Sequence, residues 1–193
     1  LGLLSNRIIA PFCAPEQPIS TAKLPFKGGE NGSITIVEFA DFRCSHCKQQ
    51  VAEVKRTLKR YNNHVKFVFI PFPLNDHPES IAAAEALLAA EAQGKFWQMH
   101  DKLFDSQELG FSRRQLIKLA KAIKLNPRRF RWDMTNHTFR DKVLKLKALG
   151  VEARIKGTPS FFINGRRFSP DSNTMNLAQR IEMELDRNIG NCK

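Results

Sequence analysis

A change of hydrophobic period at Cys44 restricts the fold of this chain more than any other feature. Ile34–Ala40 is a nearly continuous apolar run of strand length, as expected for a strand that is covered on both faces. After Cys44 the apolar residues recur every three or four positions, which predicts a helix over about 45–61. A second apolar run, Val65–Ile70, ends at a proline. This order predicts a strand, a crossover helix and a parallel strand.

The middle of the chain has helical periodicity throughout. Apolar residues recur at helical spacing in four segments there: 78–93, 96–104, 112–124 and 139–149. Strand character returns at Pro159–Ile163, and Asn164-Gly165 predicts a two-residue hairpin turn because this pair tolerates positive φ. A last amphipathic helix is predicted up to Ile189. The fold class is therefore α/β, with the order β-α-β, a helical block, then β-β-α.

The same pattern suggests a domain organisation. Residues 1–33 are predicted to be an irregular lead-in, because prolines and Gly-Gly and Asn-Gly pairs interrupt them. Residues 34–75 and 155–190 are predicted to form one domain, and residues 76–154 an inserted helical domain.

Composition excludes some functions and leaves others open. Lys and Arg number 31 against 19 Asp and Glu, a net charge of +12, but the basic residues are spread along the chain. We therefore favour a solvated basic surface over nucleic-acid or lipid binding, although the basic segment 112–131 has the length of a helix-turn-helix.

There is no apolar run of membrane-spanning length, so stable membrane insertion is not expected. The opening LGLLSNRIIA lacks the pattern of a signal peptide, so we expect that an export signal has been removed.

Cys44 and Cys47 form a Cys-x-x-Cys pair where the first strand gives way to the helix, and three kinds of chemistry use such a pair. A structural zinc site needs two further ligands, but Cys13 and Cys192 are isolated in the sequence. His46, inside the pair, lies too close to share one ion comfortably with both sulfurs. A structural disulfide would close a very short loop and add little stability. A redox pair fits the position better.

The position also indicates which sulfur attacks. At a helix N-terminus the unpaired backbone N–H groups and the helix dipole favour the thiolate of Cys44. His46, Arg43 and Lys48 are expected to lower the pKa of this thiol further. Because a stabilised thiolate is a good leaving group, the disulfide form should be oxidising. Cys47, one helical turn further on, is predicted to resolve the mixed disulfide.

Three separated motifs resemble the DsbA-like branch of the thioredoxin superfamily: Glu38–Cys47, Gly94–Phe104 and Gly157–Gly165. They occur in the family's order, and the resemblance covers about residues 24–190. It implies a thioredoxin fold with an inserted helical domain, in agreement with the element order above. It also implies a thiol:disulfide oxidoreductase that uses no metal and no cofactor.

The resemblance also assigns roles to individual residues. Cys44 would be the nucleophile and Cys47 the resolving thiol of a redox-active disulfide, with His46 stabilising the thiolate. Pro159 would be a cis-proline facing the active site, and Thr158 would offer its backbone to a bound substrate strand.

The resemblance also concerns Glu38 and Ser45. Glu38 lies where such proteins keep a buried acid beneath the cysteines, and since a buried carboxylate is costly, we expect it to relay protons to Cys47. The alternative is a hydrogen-bonded residue at a sheet edge. Ser45 stands where strongly oxidising members commonly carry proline, and Thr158 also occurs in isomerases and reductases. Oxidase, isomerase and reductase activities therefore stay open.

The leading interpretation is an exported, periplasmic oxidase that passes its disulfide to folding polypeptides. The resemblance implies reoxidation by a quinone-coupled membrane protein of the DsbB type. The alternatives are a disulfide isomerase or reductase, and a peptide-binding chaperone module with secondary redox activity and a groove near Pro159. A structural disulfide between Cys13 and Cys192 is a further hypothesis, since an unpaired thiol is a liability in an oxidising compartment.

Overall fold

The structure is a computed structural model that describes residues 19–170 and 175–189. The strands in these residues are β1 (Phe26–Gly28), β2 (Ile34–Ala40), β3 (Val65–Pro71), β4 (Ser160–Ile163) and β5 (Arg166–Phe168). The α-helices are α1 (Ser45–Tyr61), α2 (Ser80–Glu91), α3 (Phe96–Asp105), α4 (Arg113–Ala122), α5 (Pro127–Thr135), α6 (Arg140–Glu152) and α7 (Leu177–Ile189). A short 3-10 helix, Gln107–Leu109, lies between α3 and α4. No helix within the described ranges is long and apolar enough to cross a membrane.

The α/β class and the order of the predicted elements are confirmed. The five strands form one sheet in the order β1-β3-β2-β4-β5, with β2 in its centre. The predicted hairpin joins β4 to β5, and Ile163 lies opposite Arg166. Its turn residues Asn164 and Gly165 both have positive φ, at 50° and 76°, as the Asn-Gly pair predicts. The Asn164 side chain also accepts from Thr35 N at 2.8 Å, which ties the turn to β2.

One part of the predicted irregular lead-in is wrong, because Phe26–Gly28 forms the edge strand β1. This strand pairs with β3 in antiparallel fashion, with Phe26 opposite Val68. Gly28 has a φ of 90°, and a Cβ atom there would lie 2.1 Å from the carbonyl oxygen of Val65. The glycine that reads as a turn signal in the sequence is thus needed for close backbone approach in a strand.

The helical block contains one helix that the periodicity did not predict. α5 begins at Pro127, and the side chain of Asn126 accepts hydrogen bonds from the backbone N–H groups of Arg128 and Arg129. Proline in the first turn after an asparagine cap is a standard helix start. The three arginines of this short helix hide its apolar period, so the cap was the better signal.

The chain divides into two compact units. The first is formed by the described parts of Leu1–Glu38, Val54–Val68 and Ser160–Lys193, and the second by Phe39–Glu53 and Phe69–Pro159. β2 and β3 contribute residues to both units. The domain boundaries expected from the sequence, with an insertion over 76–154, stay a prediction.

The second unit contains a buried aromatic cluster around Phe42. The ring centroid of Phe42 lies 4.8 Å from that of Phe104 and 5.3 Å from that of Phe69. Phe111 is a further member, at 6.5 Å. Because Phe42 is two residues before Cys44, this packing fixes the segment that leads into the cysteine pair.

Candidate active site

Cys44 is the residue that caps the N-terminus of α1. Its backbone N–H donates to Asp41 O at 3.1 Å, and its carbonyl accepts from Lys48 N at 3.2 Å. Both cysteines are buried thiols, with Cys44 8% exposed and Cys47 fully covered. The difference in exposure suits an attacking sulfur that meets substrate and a second sulfur that stays inside.

Thr158 contacts Cys44, and Pro159 follows Thr158 in the chain. The peptide bond between them is cis, which is the form that the resemblance implies. The Cys44 thiol donates to Thr158 O at 3.2 Å. The buried hydroxyl oxygen of Thr158 makes no hydrogen bond within the described part of the chain. This hydroxyl is therefore available to donate to Cys44 once the sulfur has lost its proton.

The pKa of the Cys44 thiol is lowered from 9.0 to about 5. The largest cause is the side chain of Cys47, whose thiol donates a hydrogen bond to the thiolate. Burial acts in the opposite direction, because desolvation favours the neutral thiol. The Thr158 side chain and the backbone N–H groups of Cys47 and His46 lower the pKa further. Hydrogen bonds to the sulfur thus outweigh desolvation.

The two cations that flank the pair, Arg43 and Lys48, are engaged by groups other than Cys44. The Arg43 guanidinium donates to Gln107 O at 2.7 Å, and the Lys48 ammonium pairs with Glu108 at 3.1 Å. Neither cation is among the causes that lower the pKa of Cys44. The side chains of His46 and Ser45 are exposed, and His46 acts on the thiolate through its backbone N–H. Roles for the His46 imidazole and for Ser45 stay predictions.

Gln107 is a site residue that the sequence did not reveal. It is 4% exposed, and its side-chain amide donates to the carbonyl oxygens of Phe42 at 2.7 Å and Cys44 at 2.9 Å. The segment 107–109 therefore holds the redox loop from two sides, because Arg43 also donates to the backbone of Gln107. A glutamine between two helices carries no sequence signal for such a contact.

Asp41 is a second residue of this kind. Its carboxylate is buried and accepts from Arg43 N at 2.6 Å, from Leu74 N at 2.7 Å and from the Ser80 hydroxyl at 2.5 Å. His77 Nδ1 lies 3.1 Å from the same carboxylate. These bonds join the loop before Cys44 to the segment 74–80. An acid between Ala40 and Phe42, at the end of an apolar strand, was the available signal.

Three further predictions concern residues around or beyond this site. Glu38 is 3% exposed, so it is buried as expected. The alternative of an edge residue is wrong, because β2 is the central strand of the sheet. The proton relay from Glu38 to Cys47 stays a prediction.

Cys13 and Cys192 lie outside the described residues, and their pairing stays a prediction. In the described ranges no group of three or more His, Cys, Asp or Glu side chains is placed to hold a metal ion.

A family model described as Thioredoxin matches residues 20–182 of this chain. The chain belongs to the thioredoxin family. Among solved structures, it is similar to BdbD from Bacillus subtilis in its oxidised form, with 26% identity and a TM-score of 0.78 over 88% of this chain and 97% of that one. The thiol-disulfide exchange protein α-DsbA2 from Wolbachia pipientis shares the fold at 22% identity, with a TM-score of 0.73 over 88% and 89% of the two chains. The thioredoxin fold and the DsbA-like character expected from the sequence are thus confirmed.

Two curated relatives of this chain are Na(+)/H(+) antiporters. The Na(+)/H(+) antiporter NhaA 3 of Salinispora tropica is 34% identical over 151 residues, which are 78% of this chain and 23% of the antiporter. The Na(+)/H(+) antiporter NhaA 1 of Salinispora arenicola is 32% identical over 166 residues, 85% of this chain and 25% of the antiporter. This thioredoxin-family chain therefore spans about a quarter of the length of these relatives.

Proposed function

We propose that this chain is a thiol:disulfide oxidoreductase that introduces disulfides into exported polypeptides through Cys44 and Cys47. The observation that carries the proposal is the position of the Cys44 sulfur. It lies at the N-terminus of α1, beside the Cys47 thiol and 3.2 Å from Thr158 O. With a pKa of about 5, Cys44 is a thiolate at neutral pH and therefore a good leaving group in disulfide exchange.

The proposed reaction proceeds in two exchange steps. A substrate thiolate attacks Cys44 Sγ of the Cys44–Cys47 disulfide, a new S–S bond forms, and Cys47 leaves as a thiolate that takes up a proton. A second substrate thiolate then attacks the substrate sulfur of this mixed disulfide, and Cys44 leaves as a thiolate. The substrate loses two electrons and two protons, and the enzyme gains the two electrons.

Several sequence predictions belong to this mechanism as proposals. Glu38 would carry the proton to or from Cys47, and Ser45 and the His46 imidazole would tune the reduction potential. Thr158 and Pro159 would hold an extended substrate segment through backbone hydrogen bonds. The burial of Glu38 and the contact between Cys44 and Thr158 support these roles.

The enzyme needs an oxidant and an oxidising compartment. We propose that a quinone-coupled membrane protein of the DsbB type accepts the two electrons and that the chain works in the periplasm or an equivalent exported location. Disulfides persist in such compartments and are reduced in the cytosol. Antiport is not proposed for this chain, because the match covers only about a quarter of the antiporters.

Oxidation of a reduced, unfolded test protein tests the proposal. The oxidised chain should form one disulfide in the test protein for each Cys44–Cys47 disulfide consumed. Cys44→Ala should abolish the transfer, and Cys13→Ala, a cysteine outside the pair, should retain it. Cys47→Ala, oxidised with a small aromatic disulfide, should accumulate mixed disulfides. Transfer that survives Cys44→Ala would overturn the proposal.

A second assay separates an oxidase from an isomerase. With a test protein that contains scrambled disulfides, an isomerase in its reduced form restores native activity without net oxidation. The low pKa of Cys44 favours the oxidase, because the enzyme's reduced form is then the stable one. We expect slow unscrambling and fast oxidation; the reverse ranking would assign an isomerase.

A further inference from the structure

A basic cleft lies next to the 3-10 helix that contains Gln107. It has a volume of about 560 Å³ and lies between the 3-10 helix and α4, where its lining includes Leu109, Ile117, Arg114, Lys118 and Lys121. Leu109 is two residues from Gln107, whose side chain bonds the carbonyl oxygen of Cys44 at 2.9 Å. The cleft therefore begins next to the segment that contacts the reactive cysteine.

The two faces of α4 explain the charge of this cleft. Leu116, Leu119 and Ala120 are buried. Arg114, Lys118 and Lys121 recur at a spacing of four and three residues and so lie on another face of the helix. Among the residues that the structure describes, no carboxylate pairs with any of these three cations.

Apolar surface accompanies the three charges. Leu109 is 68% exposed, whereas Gln107 of the same 3-10 helix is 4% exposed. Ile117 is half-buried in the wall of the cleft. The neighbouring acid Glu108 is engaged by Lys48. The cleft thus offers unneutralised positive charge together with an exposed leucine.

We propose that the basic cleft binds an acidic segment, with at least one apolar residue, of the polypeptide whose cysteine reacts at Cys44. This inference rests on the proposed function and names a substrate class for it. An acidic segment complements the three cations, and an apolar side chain covers Leu109. A polypeptide substrate supplies both close to its own cysteine.

Electrostatic attraction of this kind acts mainly on the association rate. Complementary charge next to a reactive group raises the rate of productive encounter by tenfold or more, and salt screens the effect. At about 1 M salt the screening length falls to roughly 3 Å, so a preference for acidic substrates should largely disappear.

The test uses three peptides, and each peptide contains two cysteines. The peptides differ only at two residues beside the cysteines, which are both Glu in the first, both Gln in the second and both Lys in the third. The second-order rate constant for reduction of the oxidised chain is measured with each peptide while the flanking pair is moved along the sequence. At low salt the Glu peptide should react about tenfold faster than the Gln peptide in one register, and the Lys peptide more slowly. In the double variant Lys118→Glu, Lys121→Glu, the Glu peptide should no longer react faster than the Gln peptide.

Lys145→Glu is the control for a charge reversal outside the cleft, because Lys145 is an exposed residue of α6 that does not line the cleft. It should retain the Glu-to-Gln ratio. Equal rates for the Glu and Gln peptides, or loss of the ratio in Lys145→Glu as well, would overturn the proposed cleft. Failure of all three peptides to reduce the oxidised chain would instead count against the proposed function.

Binding provides an independent readout. A Glu peptide with serine in place of both cysteines cannot react, but it should shift the amide NMR signals of Leu109, Ile117 and Lys118. Phosphatidylglycerol vesicles are the competing ligand. If the vesicles perturb these signals and the serine peptide does not, the cleft is a lipid-binding surface and the substrate proposal is wrong.

Discussion

The side-chain amide of Gln107 donates a hydrogen bond to the carbonyl oxygen of Cys44 at 2.9 Å. The same amide nitrogen donates to Phe42 O at 2.7 Å, so one buried side chain fixes the backbone on both sides of Arg43. The Asp41 carboxylate holds the loop before Cys44. The Gln107 amide and the Asp41 carboxylate therefore both orient the start of α1. The thiolate of Cys44 depends on backbone N–H groups at this helix end, and their direction depends on the loop.

Replacing Gln107 with leucine should destabilise the chain and make Cys44 less acidic. The variant leaves a buried carbonyl unpaired, which costs about 1–3 kcal/mol in the free energy of unfolding. The pKa of Cys44 should rise because the backbone N–H groups are less well fixed. Urea unfolding and thiolate titration measure the two effects. Gln98→Leu, at an exposed glutamine of α3, is the control, and equal behaviour of both variants would contradict the role of Gln107.

Replacing Asp41 with asparagine should lower stability by about 2–3 kcal/mol, because an amide group cannot accept at both of its polar atoms. Arg43 N, Leu74 N and the Ser80 hydroxyl all donate to this carboxylate. Asp105→Asn, at an exposed position of α3, should change stability by less than about 0.5 kcal/mol. A difference of less than 1 kcal/mol between the two variants in urea unfolding would mean that Asp41 is not an anchor.

The sequence predicted those parts of the fold and site that depend on residues close together in the chain. The apolar run of β2, the change of period after Cys44 and the Asn164-Gly165 turn each determine their own segment. β1 escaped prediction because three residues paired to an edge have no period of their own. Gln107 escaped for another reason: its partners lie more than 60 residues away, and only the folded chain brings them together.

The hydrogen bond from Cys47 should account for the largest part of the low pKa of Cys44. Cys47→Ala removes this donor, so the pKa of Cys44 should rise from about 5 toward its ordinary value. Thr158→Val removes a smaller contribution and should raise the pKa by less. The rate of alkylation as a function of pH gives both values. A larger rise in Thr158→Val than in Cys47→Ala would contradict this ranking.

The reduced form should gain stability over the oxidised form as pH rises. The folded pKa of Cys44 is about 5 and lies below the unfolded value of roughly 8.5. The Cys44 thiolate therefore stabilises the folded, reduced form, and this stabilisation is complete above the unfolded pKa. It is lost as pH falls through the folded pKa, and the oxidised form has no thiol at this position. Calorimetry at pH 4.5 and 7.5 on a variant with alanine at Cys13 and Cys192 measures the difference in Tm. A difference that does not change with pH would contradict the low pKa.

Direct titration of the Cys44 thiolate by its ultraviolet absorbance decides whether Cys44 is the acidic thiol that the proposed oxidase needs. The reduced chain with alanine in place of Cys13 and Cys192 is titrated from acid to alkaline pH, and the oxidised chain supplies the baseline. The first thiolate transition should be centred at a pH of about 5. A single transition at the ordinary thiol value of roughly 8.5 would contradict a stabilised Cys44 thiolate and with it the proposed oxidase.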